Sequence, residues 1–260
     1  MMNYEKAEVE FRKFVKNYDS NHDKISRKTG HCLRAARLGE YIARELELDK
    51  EEVELAKIIA LLHDIGRFEQ AKIYDNFNDY ETMDHGEYGA RLLQKENFIR
   101  KFVEDDKYDK IILNAIRNHN KYKIKRQRCL SKKELLYNRI VRDADKLDNF
   151  EVALANDLKY LSIDNEKSML AVQAISDGVF KDIMNHKTIK RHKLKNAADK
   201  WAPYIARVFG LNFEFCLNYV KEKNYINRFV DRFAFENKKV VNQMEEIRNC
   251  ANNYIQEKVS

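Results

Sequence analysis

The chain has 260 residues and a formal net charge of +7, from 49 Lys and Arg against 42 Asp and Glu. One proline and seven glycines leave long helices uninterrupted, and the apolar and aromatic content suffices for a packed core, which excludes a disordered chain. Cys32, Cys129, Cys216 and Cys250 are widely scattered, which excludes a disulfide framework or a CxxC zinc site and fits a reducing cytoplasm.

The start, MMNYEKAEVEFRKF, is charged and has no apolar signal core, and no run reaches the ~18 apolar residues of a membrane span. A cytoplasmic protein with no membrane partner is therefore expected.

Apolar residues recur at spacings of three and four throughout, with no strand alternation and no internal repeat, so the fold class is all-α. A first helix is expected over 4–18. A second covers 26–47, with His31, Ala35, Leu38 and Ile42 on one face. The third opens at Asp49, whose early glutamates suit a helix start, and carries Val53, Ala56, Ala60 and His63 on one face. Residues 66–83 read as a long loop. Asp84 caps a helix running to about Asn97, and residues 108–121 form another, with Ile112, Ala115, Ile116 and His119 close together. Ser131 and Glu134 form a capping box at the head of a long helix that reaches about Asn156 and carries Asp145, Asp148 and Asn149.

Beyond about residue 160 the helical pattern continues without chemistry-bearing residues. The chain thus divides into a metal-binding helical domain over 1–160 and a helical C-terminal extension over 161–260 packed on it. The aromatic stripe VFGLNFEFCLNYVKEKNYINRFVDRFAF suits core packing, and a homo-oligomer is compatible with it. Basic residues concentrate in KYKIKRQRCLSKK (121–133) and KTIKRHKLK (187–195). These runs are either solvated faces or a positive field for a phosphorylated ligand. Nucleic acid is not expected, because no aromatic stacking pattern accompanies the charge.

Four of the seven histidines, His31, His63, His85 and His119, sit on the apolar face or at the end of an expected helix. Burying several unpaired imidazoles costs ~1–3 kcal/mol each unless something satisfies them together. A metal does so, with Asp64 and Asp145 offsetting its charge. Nitrogen and carboxylate donors without thiolate suit manganese, iron, cobalt, nickel or zinc, and magnesium is compatible. Gly66 follows at once and lets the backbone turn and approach closely.

The order His31, then His63-Asp64, then Asp145 resembles the HD-domain superfamily of metal-dependent phosphohydrolases. HDIGRF looks like the HDIG variant of its motif, and ADKLDN around Asp145 is similar to the segment giving the last aspartate ligand. The resemblance covers about residues 27–152 and implies an all-α bundle. It implies a first ion on His31, His63, Asp64 and Asp145. His85, in MDHGEYGA, and His119, in AIRNHNKYK, match the two extra histidines of binuclear members, where Asp64 would bridge. One ion, with His85 and His119 contacting phosphate, is the alternative.

The implied activity is hydrolysis of a phosphate ester by a metal-activated water, on a nucleotide or related small phosphorylated molecule. Asp64 and Arg67 are the catalytic candidates. Arg67, Lys121 and Arg142 are the substrate-binding candidates, with Lys123 beside them; a structural salt bridge for Arg67, a solvated basic face for Lys121 and Lys123, and orientation of Asp145 by Arg142 are the alternatives. Asn120 follows His119 and no GYP stands nearby, unlike the cyclic-dinucleotide phosphodiesterases bearing that signature. Gly66-Arg67 replaces the acidic run of the guanosine tetraphosphate hydrolases. The same six residues also resemble the HD-fold diiron oxygenases, and a non-catalytic nucleotide sensor is a third reading.

Overall fold

The computed structural model describes residues 2–19, 21–124, 127–155 and 172–259, which are largely helical and contain no strand. The chain forms two compact units, Met1–Asp148 and Asn149–Ser260. The boundary expected near residue 160 falls within 156–171, outside the described residues. No helix among the described residues is long and apolar enough to cross a membrane.

The first unit is built around α3 (Lys50–Leu62), which buries Val53, Leu55, Ala56, Ile58, Ile59, Ala60, Leu61 and Leu62. Asp49 caps it, accepting from the Glu52 amide at 2.8 Å while the Glu52 carboxylate accepts from the Asp49 amide. Against α3 lie α1 (Tyr4–Val15) and α2 (Asp23–Glu45). Gly39 of α2 permits that closeness: a Cβ there would stand 3.0 Å from the Ala60 Cβ and 3.1 Å from the Ala56 carbonyl.

Residues 66–74, expected as loop, form α4 (Gly66–Tyr74). Its pattern is weak because Ile73 and Tyr74 are exposed and Phe68 and Ala71 are its buried apolar side chains. Tertiary packing holds it: Phe68 meets the rings of Phe11, Phe14 and Tyr18 at 5.6–5.8 Å. The helix closes at Asp75, in the left-handed region at φ 46°.

The remaining helices of this unit are α5 (His85–Gln94), α6 (Asp109–Asn118) and the first part of α7 (Lys132–Ala155). α5 ends before Asn97, because Glu96 and Asn97 take left-handed φ values of 50° and 56°. The expected capping box is present on α7, where Ser131 and Glu134 exchange side-chain-to-amide bonds of 2.8 and 3.1 Å.

The second unit contains the end of α7, then α8 (Asp177–Met184), α9 (Ala197–Ala206), α10 (Glu214–Glu222), α11 (Tyr225–Val230) and α12 (Lys238–Val259). Much of its core comes from the aromatic stripe. Tyr225 stacks on Phe150 at 5.4 Å, and Phe229 packs on Trp201 at 5.0 Å, whose indole N–H donates to the Phe229 carbonyl. Asp199 is buried but satisfied, accepting from the Ser176 amide and hydroxyl and from the Lys195 amide.

Candidate metal centre

Three helix termini and two helix interiors deliver polar side chains to one place in the first unit. His63 is the C-cap of α3 and Asp64 follows it. His85 is the first residue of α5, and His119 is the C-cap of α6. His31 lies within α2 and Asp145 within α7. His31, His63, Asp64, His85 and His119 are each at most 5% exposed.

Glycines allow the helix starts to close up. A Cβ on Gly66 would lie 2.3 Å from the His85 carbonyl oxygen and 2.9 Å from the Gly89 amide. No glycine among the described residues has positive φ, so Gly66 serves close approach, and the turn itself needs no special freedom. Gly66→Ala is expected to push α5 and His85 away and to lower stability by ~1–3 kcal/mol, read from urea unfolding. An unchanged midpoint would contradict this account of the glycine.

Asn120 and Lys121 clip the end of α6 onto α5. Asn120 donates to Asp79 at 3.0 Å and to Asp84 at 2.9 Å, and the Lys121 ammonium pairs with Asp84. From α7, the Arg142 guanidinium donates to the carbonyls of Asn118, His119, Lys121 and, at longer range, Tyr122. It satisfies the orphan carbonyls at the end of α6. Arg142 thus fixes the backbone of His119 through its two terminal nitrogens.

The imidazole hydrogens can be placed from their partners. His63 Nδ1 lies 2.7 Å from the Ala60 carbonyl and His119 Nδ1 lies 2.7 Å from the Ile116 carbonyl, and a carbonyl only accepts. His31 Nδ1 lies 2.6 Å from Asp148, and His85 Nδ1 lies 2.7 Å from Asp79. In each neutral ring Nδ1 carries the hydrogen and Nε2 is a bare lone pair. Yet His31 Nε2 faces His63 Nε2 at 3.1 Å, and His85 Nε2 faces His119 Nε2 at 2.9 Å. Facing nitrogens at these distances need a proton or a metal cation between them.

The carboxylates complete the pattern. Asp64 Oδ2 stands 3.5 Å from the Nε2 of both His31 and His63. Its Oδ1 stands 3.1 Å from His85 Nε2 and 3.4 Å from His119 Nε2. Asp145 Oδ1 faces the first pair, at 3.2 and 3.6 Å. The two oxygens of Asp64 are therefore divided between two histidine pairs. Among the described residues, His31–His63–Asp145 and His63–Asp64–His119 each offer one donor atom apiece, all within 4.8 Å of one another. These groups can hold a metal ion.

Electrostatics keep the two carboxylates ionised and the His119 ring neutral. Burial opposes the Asp64 charge, but Lys28 and the surrounding imidazoles hold its pKa well below the usual carboxylate range. Asp145 is likewise held well below, against burial, by His31 and His63. Burial, together with His85 and His63, pushes His119 down to about 4, so its ring stays neutral. Burial also opposes charge on His31, but Asp145, Asp148 and Asp64 outweigh it and raise its pKa. The donor set fits a borderline cation held by imidazole and carboxylate.

An outer ring of residues orients these side chains; the sequence placed Asp148 on the helix of Asp145 but gave neither it nor Asp79 a role. Asp148 accepts from His31 and, through both oxygens, from the Arg34 guanidinium at 2.6 and 3.1 Å. Asp79 accepts from His85, Arg67, Gln70 and Asn120. Such carboxylate–histidine pairs fix tautomer and ring orientation at metal sites. Lys28 was also missed: its ammonium lies 2.5 Å from Asp64 Oδ2.

Of the cations expected at the substrate, Arg67 donates to Gln70, the Phe77 carbonyl and Asp79, and its Nε lies 3.7 Å from Asp64. Lys123 is exposed, just beyond the segment that Arg142 holds.

Residues 29–149 match the family model of the HD domain, a domain of a metal-dependent hydrolase superfamily. No curated protein and no solved structure is significantly similar to the chain.

Proposed function

Because residues 29–149 form an HD domain, we propose that the chain is a metal-dependent phosphohydrolase with a binuclear centre, acting on a nucleotide or related small phosphorylated molecule. The observation that carries this reading is the division of Asp64, one oxygen to the His31–His63 pair and the other to the His85–His119 pair. His31, His63, Asp145 and Asp64 Oδ2 would hold the first ion. His85, His119 and Asp64 Oδ1 would hold the second, and Asp64 would bridge.

When bound, the ions supply a water nucleophile at neutral pH and positive charge for the phosphoryl oxygens. The protein's part is orientation. Asp148 and the Ala60 carbonyl aim His31 and His63, and Asp79 and the Ile116 carbonyl aim His85 and His119. Arg67 anchors Asp79 and so supports His85, while its Nε faces Asp64 Oδ1.

The test is metal analysis of the protein as purified, paired with phosphate release from a panel of nucleotides and phosphate esters in manganese, iron or cobalt. Release that depends on the metal is the expected result. A redox-active diiron protein that releases no phosphate would instead establish the oxygenase.

A second expectation isolates the outer ring. Asp79→Ala should weaken the second ion ~10–100-fold, as loss of such partners does elsewhere, with the first ion held as in wild type. Calorimetric titration with cobalt separates the two affinities, and equal weakening of both would contradict the division of the site.

A further inference from the structure

Lys28 lies on α2 one turn before His31, so both side chains leave the same face. Its ammonium is 2.5 Å from Asp64 Oδ2, the oxygen that also faces His31 and His63 at 3.5 Å. Asp64 itself is 3% exposed, whereas the Lys28 side chain is 21% exposed. Lys28 therefore enters from the solvent side and ends on an atom that an ion at the first histidine pair would claim.

The other cations considered for substrate take their hydrogen bonds from groups outside the donor set, although the Arg67 Nε also lies 3.7 Å from Asp64 Oδ1. Arg67 is held by Gln70, Phe77 and Asp79, Lys121 by Asp84, and Arg142 by backbone carbonyls. Lys28 has a centre carboxylate as its hydrogen-bond partner. A divalent cation on Asp64 Oδ2 competes for that oxygen and repels the ammonium. The flexible four-carbon stem then leaves a strongly hydrated point charge at the solvent side of the centre. Phe77 gives that side a wall, with the Lys28 ammonium 5.7 Å from its ring centroid and the Arg67 guanidinium 5.2 Å away.

We propose that Lys28 is a substrate-binding residue: its ammonium competes with an ion for Asp64 Oδ2 and, with an ion there, reaches a phosphoryl oxygen of the substrate. This rests on the phosphohydrolase reading above. It makes Lys28 both a competitor of the metal and a ligand of the anion. Removing its charge must therefore shift the two affinities in opposite directions, which a purely structural lysine would not do.

The experiment is calorimetric titration of wild-type protein, Lys28→Met and Lys28→Arg, first with cobalt and then, on the loaded protein, with orthophosphate. Lys28→Met should bind the first cobalt ~10-fold or more tightly, because the competing ion pair is gone. It should bind orthophosphate ~10-fold or more weakly, because a charge-assisted contact is lost. Lys28→Arg should restore most of the orthophosphate affinity. Circular dichroism reports whether each variant folds, and Lys28→Arg keeps the test open if Lys28→Met does not.

A Lys28→Met protein equal to wild type in either affinity overturns the assignment of Lys28 and leaves the phosphohydrolase reading standing. So does a Lys28→Arg protein that binds orthophosphate no better than Lys28→Met. A wild-type protein that takes up no ion overturns both.

Discussion

Asp64→Ala is expected to abolish metal uptake and metal-dependent phosphate release while the helical far-UV spectrum remains. Among the described residues, Asp64 is the carboxylate found within 3.5 Å of all four imidazole Nε2 atoms. Its loss strips an anionic donor from both halves of the centre, a larger change than the ~10–100-fold effect of losing an outer partner. Turnover should fall by ~10³-fold or more. The fold should survive, because Lys28, the ammonium left without its carboxylate, is partly exposed and can turn to water. Metal content and phosphate release, measured on the same preparation, check this. Hydrolysis at the wild-type rate would place the chemistry elsewhere.

His119→Ala should separate one ion from two. His119 Nε2 faces His85 Nε2 at 2.9 Å and Asp64 Oδ1 at 3.4 Å, while Asp145 stays with His31 and His63. The variant should retain the first ion and lose the second, so that metal content falls from two per chain to one. Turnover should drop ~10²-fold or more, since a two-metal centre stabilises both the attacking and the leaving oxygen. If His119 instead only contacts phosphate, wild type and variant both hold one ion and the loss appears in KM. Metal content and steady-state kinetics distinguish the two outcomes.

The six side chains that converge were legible because the four histidines sit at helix positions where a buried polar residue is conspicuous, and because HDIG and ADKLD are local motifs. What the sequence hid was relational. Asp79 lies six residues before His85 in a segment without periodicity, and nothing local ties it to that ring. Asp148 is 117 residues from His31; its only signal was the i+3 spacing from Asp145. Lys28 had a similar signal, three residues before His31, but a lysine on a helix reads as solvated face.

Arg142 was legible as a charge near Asp145 but not as a cap, because its carbonyl partners lie 20 to 24 residues away. The α4 helix was missed because its stability comes from Phe68 against α1 and Tyr18, which periodicity within 66–74 cannot register.

The central claim is that Asp64 joins two ions, one at each histidine pair. Anomalous diffraction from crystals of the manganese- or cobalt-loaded protein tests it most directly. The account predicts two peaks ~3.5–4 Å apart, as in other two-metal sites, one against His31, His63 and Asp145 and the other against His85 and His119, with Asp64 touching both. A single peak at saturating metal, or none with Lys28 still on Asp64, would contradict it.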